Sequence, residues 1–145
     1  MPAGECVFCS IVAGASPCHE IYRDDATLAF MDINPANHGH CLVIPKTHFG
    51  NIFEMPPEAF AAVASAVVKV ARAVNDELRP GGLSVLQANG ALAGQTVPHV
   101  HVHVLPRRAD DNLLINWDRD RANRETADPI RISALAERLR SRLRG

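Results

Sequence analysis

His99-Val100-His101-Val102-His103-Val104-Leu105 alternates imidazole with aliphatic side chains before it runs into Pro106. Successive side chains of a strand leave opposite faces. The run therefore predicts a strand over 99–105, ended by Pro106, with His99, His101 and His103 on one face and Val100, Val102 and Val104 on the other. The valine face belongs against a core. The histidine face is chemical, because imidazole suits proton transfer near neutral pH and can also act as a nucleophile. Three partly exposed histidines without a task is the plainer alternative. One zinc ion held by all three fits poorly: strand positions two apart are separated by ~6.7 Å and positions four apart by ~13 Å. Zinc holds its nitrogens at only ~2.0–2.1 Å.

Upstream of the run, Asn89-Gly90-Ala91-Leu92-Ala93-Gly94 is a loop, and Gln95 and Thr96 add an amide and a hydroxyl. Glycines let a backbone approach a ligand closely, and consecutive N–H groups can form an anion nest. A plain hairpin loop remains the alternative. Leu83–Ala88 reads as the preceding strand. The connection is too short for a helical crossover, so the two strands should be antiparallel. A long helix is predicted over 57–78, opened by Pro56-Pro57 and stopped by Pro80-Gly81-Gly82. Its apolar positions are Phe60, Val63, Ala64, Val67, Val70, Ala71 and Val74.

Further strands are expected at Ala26–Ile33 and at Cys41–Ile44, the latter closed by Pro45, with a turn at 34–39 and a short helical turn at 7–13. Residues 107–129 are polar and irregular except for Leu113-Leu114-Ile115 and Trp117. A last helix is predicted over 129–143 with Leu135, Leu139 and Leu143 on one stripe. The pattern is α+β.

The 145 residues fit one domain, and the 47% hydrophobic and 21% charged composition is that of a globular chain. A net charge of −1 argues against nucleic acid as the main partner. Arg131, Arg138, Arg140, Arg142 and Arg144 read as a solvated helix end that suits the helix dipole, with a phosphate-binding tail as the alternative. No run reaches the ~20 apolar residues of a membrane helix. Residues 1–5 lack the basic and apolar regions of a signal peptide, so a cytoplasmic location and no membrane partner are expected.

In a reducing compartment, Cys6-x-x-Cys9 asks for a metal or a redox role. Two thiolates are half of a tetrahedral zinc site. An empty dithiol is the other reading. Cys18 and Cys41 have no evident partner, and His19, His38 and His40 read as turn or structural residues.

The segment 94–105 resembles the His-φ-His-φ-His-φ-φ signature of the histidine triad (HIT) family, where φ is apolar. Cys6–Cys9, Ala29–Pro35, Leu42–His48, Gln87–Gly90, Asn116-Trp117 and the last helix are similar to HIT segments in the same order. The resemblance implies a HIT fold: an antiparallel sheet of about five strands, one long helix and a C-terminal helix, with the sheet extended by homodimerisation. It implies a single domain over 1–145, with a core at 1–106 and a C-terminal extension at 107–145.

The resemblance also implies a purine nucleotide hydrolase or nucleotidyltransferase. His101 would attack the α-phosphate and form a nucleotidyl-histidine intermediate. His103 would hydrogen-bond the phosphate, and Gln95 and Thr96 would support the phosphate and the leaving group. Asp32 would hold the ribose, and Phe8, Ile11, Phe30 and Ile33 would line the base pocket. Asn89 and Gly94 would lie near the sugar and phosphate. For Asp32 a strand-end turn is the duller reading, and for the apolar four plain core.

Structural zinc on Cys6, Cys9, His48 and His99 is implied in the same way, with no catalytic metal. A phosphoramidase-like enzyme releasing a nucleoside monophosphate is the first functional expectation. A dinucleoside polyphosphate hydrolase and a weakly catalytic nucleotide-binding scaffold are the alternatives.

Overall fold

The computed structural model describes residues 5–113 and 126–144. The sequence expectations for Leu114, Ile115, Asn116 and Trp117 lie outside these residues. Three helices, α1 (Val7–Val12), α2 (Pro57–Leu78) and α3 (Pro129–Arg144), surround strands β1 (Glu20–Arg23), β2 (Thr27–Met31), β3 (Cys41–Pro45), β4 (Gly82–Gln87) and β5 (Val102–Arg107). The strands form one antiparallel sheet in the order β1-β2-β3-β5-β4, which is the expected α+β fold.

Strand alternation divides the core in two. Ala29, Met31, Cys41, Val43, Val102 and Val104 face α2 and α3, against Val63, Val70, Val74, Leu135 and Leu139. Leu28, Phe30, Leu42 and Ile44 face the other way, where Phe8 and Ile11 of α1 cover them. A strand covered on both sides carries an unbroken apolar run, which is why β2 and β3 are legible in the sequence. On α2 the buried stripe is Val63, Ala66, Val67, Val70, Ala73 and Val74. Ala64, expected on it, is exposed.

Three features depart from expectation. β1 is a short edge strand whose charged Glu20 and Arg23 pair with each other, and only Ile21 is buried. Charged, short edges protect a sheet from further pairing, and they leave little hydrophobic pattern to read. The turn into β2 is set by Asp24, whose Oδ1 accepts from the N–H groups of Ala26 and Thr27.

The histidine strand is also displaced: regular pairing covers Val102–Arg107 rather than 99–105. The ladder between β3 and β5 stops at Val43↔Val102. Past that point Pro45 has no N–H, and its carbonyl accepts from the His99 side chain. At the other end Pro106 does not break the strand. It pairs with Leu83 at a level beyond the end of β3, so no neighbour there needs its missing N–H, and its carbonyl accepts from Asn37.

Candidate active site

All three motif histidines are buried, His99 at 0%, His101 at 5% and His103 at 5% exposure, so the reading as idle surface residues does not hold. They lie on the α1 side of the sheet, where His103 pairs across from Leu42. Phe8 packs edge-on against His101 (5.3 Å between ring centroids), His99 (5.7 Å) and Phe30 (5.5 Å). A single side chain of α1 therefore supports two of the three histidines.

Hydrogen bonding fixes what each ring can do. His101 Nδ1 donates to the His99 carbonyl at 2.7 Å, which leaves the lone pair on Nε2. His103 Nδ1 lies 3.0 Å from His40 Nε2. The Ala36 N–H donates to His40 Nδ1 at 3.1 Å, and a backbone N–H can only donate, so the neutral His40 ring carries its proton on Nε2. That proton goes to His103 Nδ1, which leaves His103 with an N–H donor at Nε2. The row thus presents an unprotonated nitrogen on the neutral His101 ring beside a donor on His103, with the two rings 4.9 Å apart.

His40 is fully buried, and Asp32 Oδ2 stands 3.6 Å from its Nε2. Sequence reading took His40 for a structural residue and missed this contact with the motif. The available signal was its place, one residue past the turn glycine Gly39 (φ +95°) at the entrance to a buried strand. That φ is strained for any residue with a Cβ, which would also press on Leu78 and Pro106, so the turn that delivers His40 favours glycine. Asp32, His40 and His103 lie close enough to share a metal ion. However, His40 Nδ1 is already an acceptor, so coordination through Nε2 would strip the ring of its last proton. His40 and His103 form a hydrogen-bond chain that starts at the Ala36 N–H, with Asp32 beside it.

A cavity of about 330 Å³ opens onto His101 and His103. Of the residues expected to bind nucleotide, Phe8, Ile11, Phe30, Asp32, Ile33 and Thr96 line it as well. Val7, Pro17 and Cys18 were not foreseen there. Asp32 lines the cavity and also forms the expected strand-end turn, since its Oδ1 accepts from the Asn34 N–H.

Gln95, Asn89 and Gly94 are not among the lining residues. Gln95 donates to the Gly50 and Val97 carbonyls and accepts from the Gly90 N–H, which pins the 90–97 loop. Asn89 accepts from the Ile52 N–H and exchanges hydrogen bonds with Gln87. Gly94 is the left-handed residue that ends the single helical turn Ala91–Ala93.

Cys6, Cys9, His48 and His99 converge, with their ligand atoms all within 4.8 Å of one another. His99 Nε2 donates to the Pro45 carbonyl at 2.9 Å, which leaves Nδ1 bare. Burial, above all, lowers the His99 pKa and keeps the ring in its neutral, ligating form. Tetrahedral zinc bonds of about 2.0–2.3 Å require ligand separations of about 3.3–3.8 Å. His99 Nδ1 lies 3.5 Å from Cys6 Sγ, 3.6 Å from Cys9 Sγ and 3.2 Å from His48 Nδ1, and Cys9 Sγ lies 3.2 Å from His48 Nδ1. The donor set and its spacing fit such an ion. Cys41, in contrast, is an inert core thiol whose pKa is pushed far up by burial.

Comparison with known proteins agrees with this geometry. The HIT domain matches residues 13–110. The chain is 42% identical over 141 residues to Protein hit of Bacillus subtilis, covering 96% of this chain and 97% of that one. It is 36% identical over 140 residues to the adenosine 5'-monophosphoramidase hnt1 of Schizosaccharomyces pombe, covering 96% and 98%. A crystal structure of a Zn-bound histidine triad family protein from Mycobacterium smegmatis superposes with a TM-score of 0.82 at 38% identity, covering 99% of this chain and 96% of that one. With the motif, the fold and near full-length relatives in agreement, this chain belongs to the histidine triad family.

Proposed function

We infer that the protein is a nucleotide hydrolase that cleaves adenosine-type phosphoramidates through a covalent intermediate on His101. The observation that carries the reading is the 2.7 Å bond from His101 Nδ1 to the His99 carbonyl, which puts the proton of the neutral ring on Nδ1, at the wall of a cavity lined by both apolar and polar side chains. Phe8, Ile11, Phe30 and Ile33 are apolar lining and suit a purine base. Asp32 suits the ribose hydroxyls. The named activity of the Schizosaccharomyces relative supports the substrate class.

In the first step His101 Nε2 attacks the α-phosphorus. A phosphorus–histidine bond forms as the phosphorus–amine bond breaks, and the amine takes up a proton as it leaves. His103 Nε2–H and the Thr96 hydroxyl, both on residues that line the cavity, would donate to the phosphate and stabilise the charge that builds on its oxygens. Water then displaces His101 and releases the nucleoside monophosphate, so one water is consumed per turnover.

Zinc held by Cys6, Cys9, His48 and His99 would close a four-ligand structural site with no open position, and it would tie α1 to the start of the histidine row. A homodimer joined through the β4 edge, where Val85 is 54% exposed, completes the reading. The test is hydrolysis of an adenosine phosphoramidate with the mononucleotide quantified. Wild type should turn over and His101→Ala should not, although it still binds AMP. A folded wild type without turnover would sink the assignment.

A further inference from the structure

The arginine-rich C-terminal sequence does not act as one tail. Arg138 and Arg142 both bind Glu77 of α2, and Arg140 donates to the Glu20 carbonyl. These three hold α3 against α2 and β1. Arg131, at the start of α3, turns elsewhere: it lines a second cavity, of about 400 Å³, together with Arg79, Arg107, Arg108, His38 and Asn37. These residues come from the end of α2, the end of β5, the 34–40 turn and the first turn of α3, so the convergence is tertiary.

No carboxylate lines this cavity among the described residues. The nearby acids are committed. Asp111 accepts from Arg107, the Arg108 and Leu113 N–H groups and Asn37, and the Arg107 guanidinium, first among these, holds its carboxyl far below the usual range. Asp110 pairs with Arg108, and Asp128 accepts from the Ile130 and Arg131 N–H groups. The side chains of Arg79 and Arg131 have no hydrogen-bond or ion-pair partner among the described residues.

The geometry points to a second anion site here, distinct from the nucleotide cavity, that takes a phosphate-class polyanion of diphosphate size. A concave surface lined by charge of one sign focuses the field and concentrates an opposite ligand. Planar guanidinium groups bind phosphate oxygens in bidentate pairs, and Arg79 and Arg131 supply two such forks with no partner to displace. The volume accommodates a diphosphate. Arg79 caps α2 in the left-handed conformation (φ 48°), a position where glycine is the usual residue. Arg79→Gly therefore removes the guanidinium without harming the helix end, and loss of binding in that variant cannot be laid to unfolding.

The test is calorimetric titration of the full chain with pyrophosphate at low salt, in the presence of saturating AMP to occupy the nucleotide cavity. Saturable binding is expected, and it should weaken at least about tenfold in the Arg79→Gly/Arg131→Gln double variant while phosphoramidate hydrolysis and Tm stay unchanged. ATP titrated into the AMP-saturated protein separates the sources of the anion. Binding through the same two arginines assigns the site to the phosphate tail of a nucleotide, and binding of pyrophosphate alone assigns it to the free anion. Three results would overturn the site: no heat up to about 10 mM pyrophosphate, affinity unchanged in the double variant, or loss of binding when AMP is added.

Discussion

His99 and His101 stand two residues apart and share one hydrogen bond, yet they belong to different chemistries. The His99 ring donates at Nε2 to Pro45 and presents Nδ1 to two thiols and a second imidazole. The His101 ring donates at Nδ1 to the His99 carbonyl and presents Nε2 to an open cavity. Identical side chains on one face thus acquire opposite tautomers, because the nearest carbonyl lies on opposite sides of the two rings. One end of the motif is closed and suited to a structural ion, and the other is open and suited to a nucleophile. Phe8 touches both rings, so the two ends remain mechanically joined through α1.

The largest effect that sharpens this division is expected at the open end. His101→Ala should lower turnover by more than about 10³-fold, because a covalent route loses its nucleophile. Its Tm should move by no more than a few degrees. At the closed end the pattern should reverse. Cys9→Ser, or removal of metal by a chelator, should lower Tm by about 10 °C, which corresponds to about 3 kcal/mol in a domain of this size. Metal analysis should show the ion lost in Cys9→Ser and retained in His101→Ala. Equal losses of Tm in both variants would break the comparison.

A control lies beyond the other end of the strand. Asp111→Asn disrupts a network of five hydrogen bonds, and the loss of the Arg107 pair should cost about 2–3 kcal/mol with metal content and turnover retained. The folded-state pKa of Asp111 is depressed, so its contribution is complete above the unfolded value of 3.8 and declines as pH falls toward the folded one. The Tm gap between wild type and Asp111→Asn should hold above about pH 4 and narrow below it. A gap unchanged down to pH 3 would refute the linkage.

The smallest effect tests His40, which reaches the reaction only through His103. His40→Ala should reduce kcat by about 10–100-fold, as loss of a group that orients a reacting residue commonly does. His40→Gln, which can still donate toward His103 Nδ1, should recover part of that loss. A fall in KM-dependent binding with kcat preserved would move His40 out of the positioning role.

Much of the fold was legible because its signals are local. The doubly buried β2 and β3 read as apolar runs, and α2 announced itself through proline at its start, glycine at its end and a 3.6-residue stripe. β1 was not legible, since four residues with charged ends carry almost no period. Of the candidate site, His101 and His103 stood out in the motif, Asp32 and the apolar wall were implied by the family resemblance, and the cavity unites them. Gln95 and Asn89 illustrate the limit of that reading. Their amides are polar and near the site in sequence, but the loop uses every one of their hydrogen-bonding groups to hold itself in place.

By itself the sequence determined which face of which strand carries imidazole and which carries valine, because alternation is a property of any strand and needs no partner. Tertiary structure alone decided which nitrogen of each imidazole carries the proton. A ring becomes ligand, nucleophile or donor according to which of its nitrogens is protonated. That choice was made by Pro45, by the His99 carbonyl and by the Ala36–His40 pair. Two of these contacts join residues more than fifty positions apart, and no local pattern encodes them.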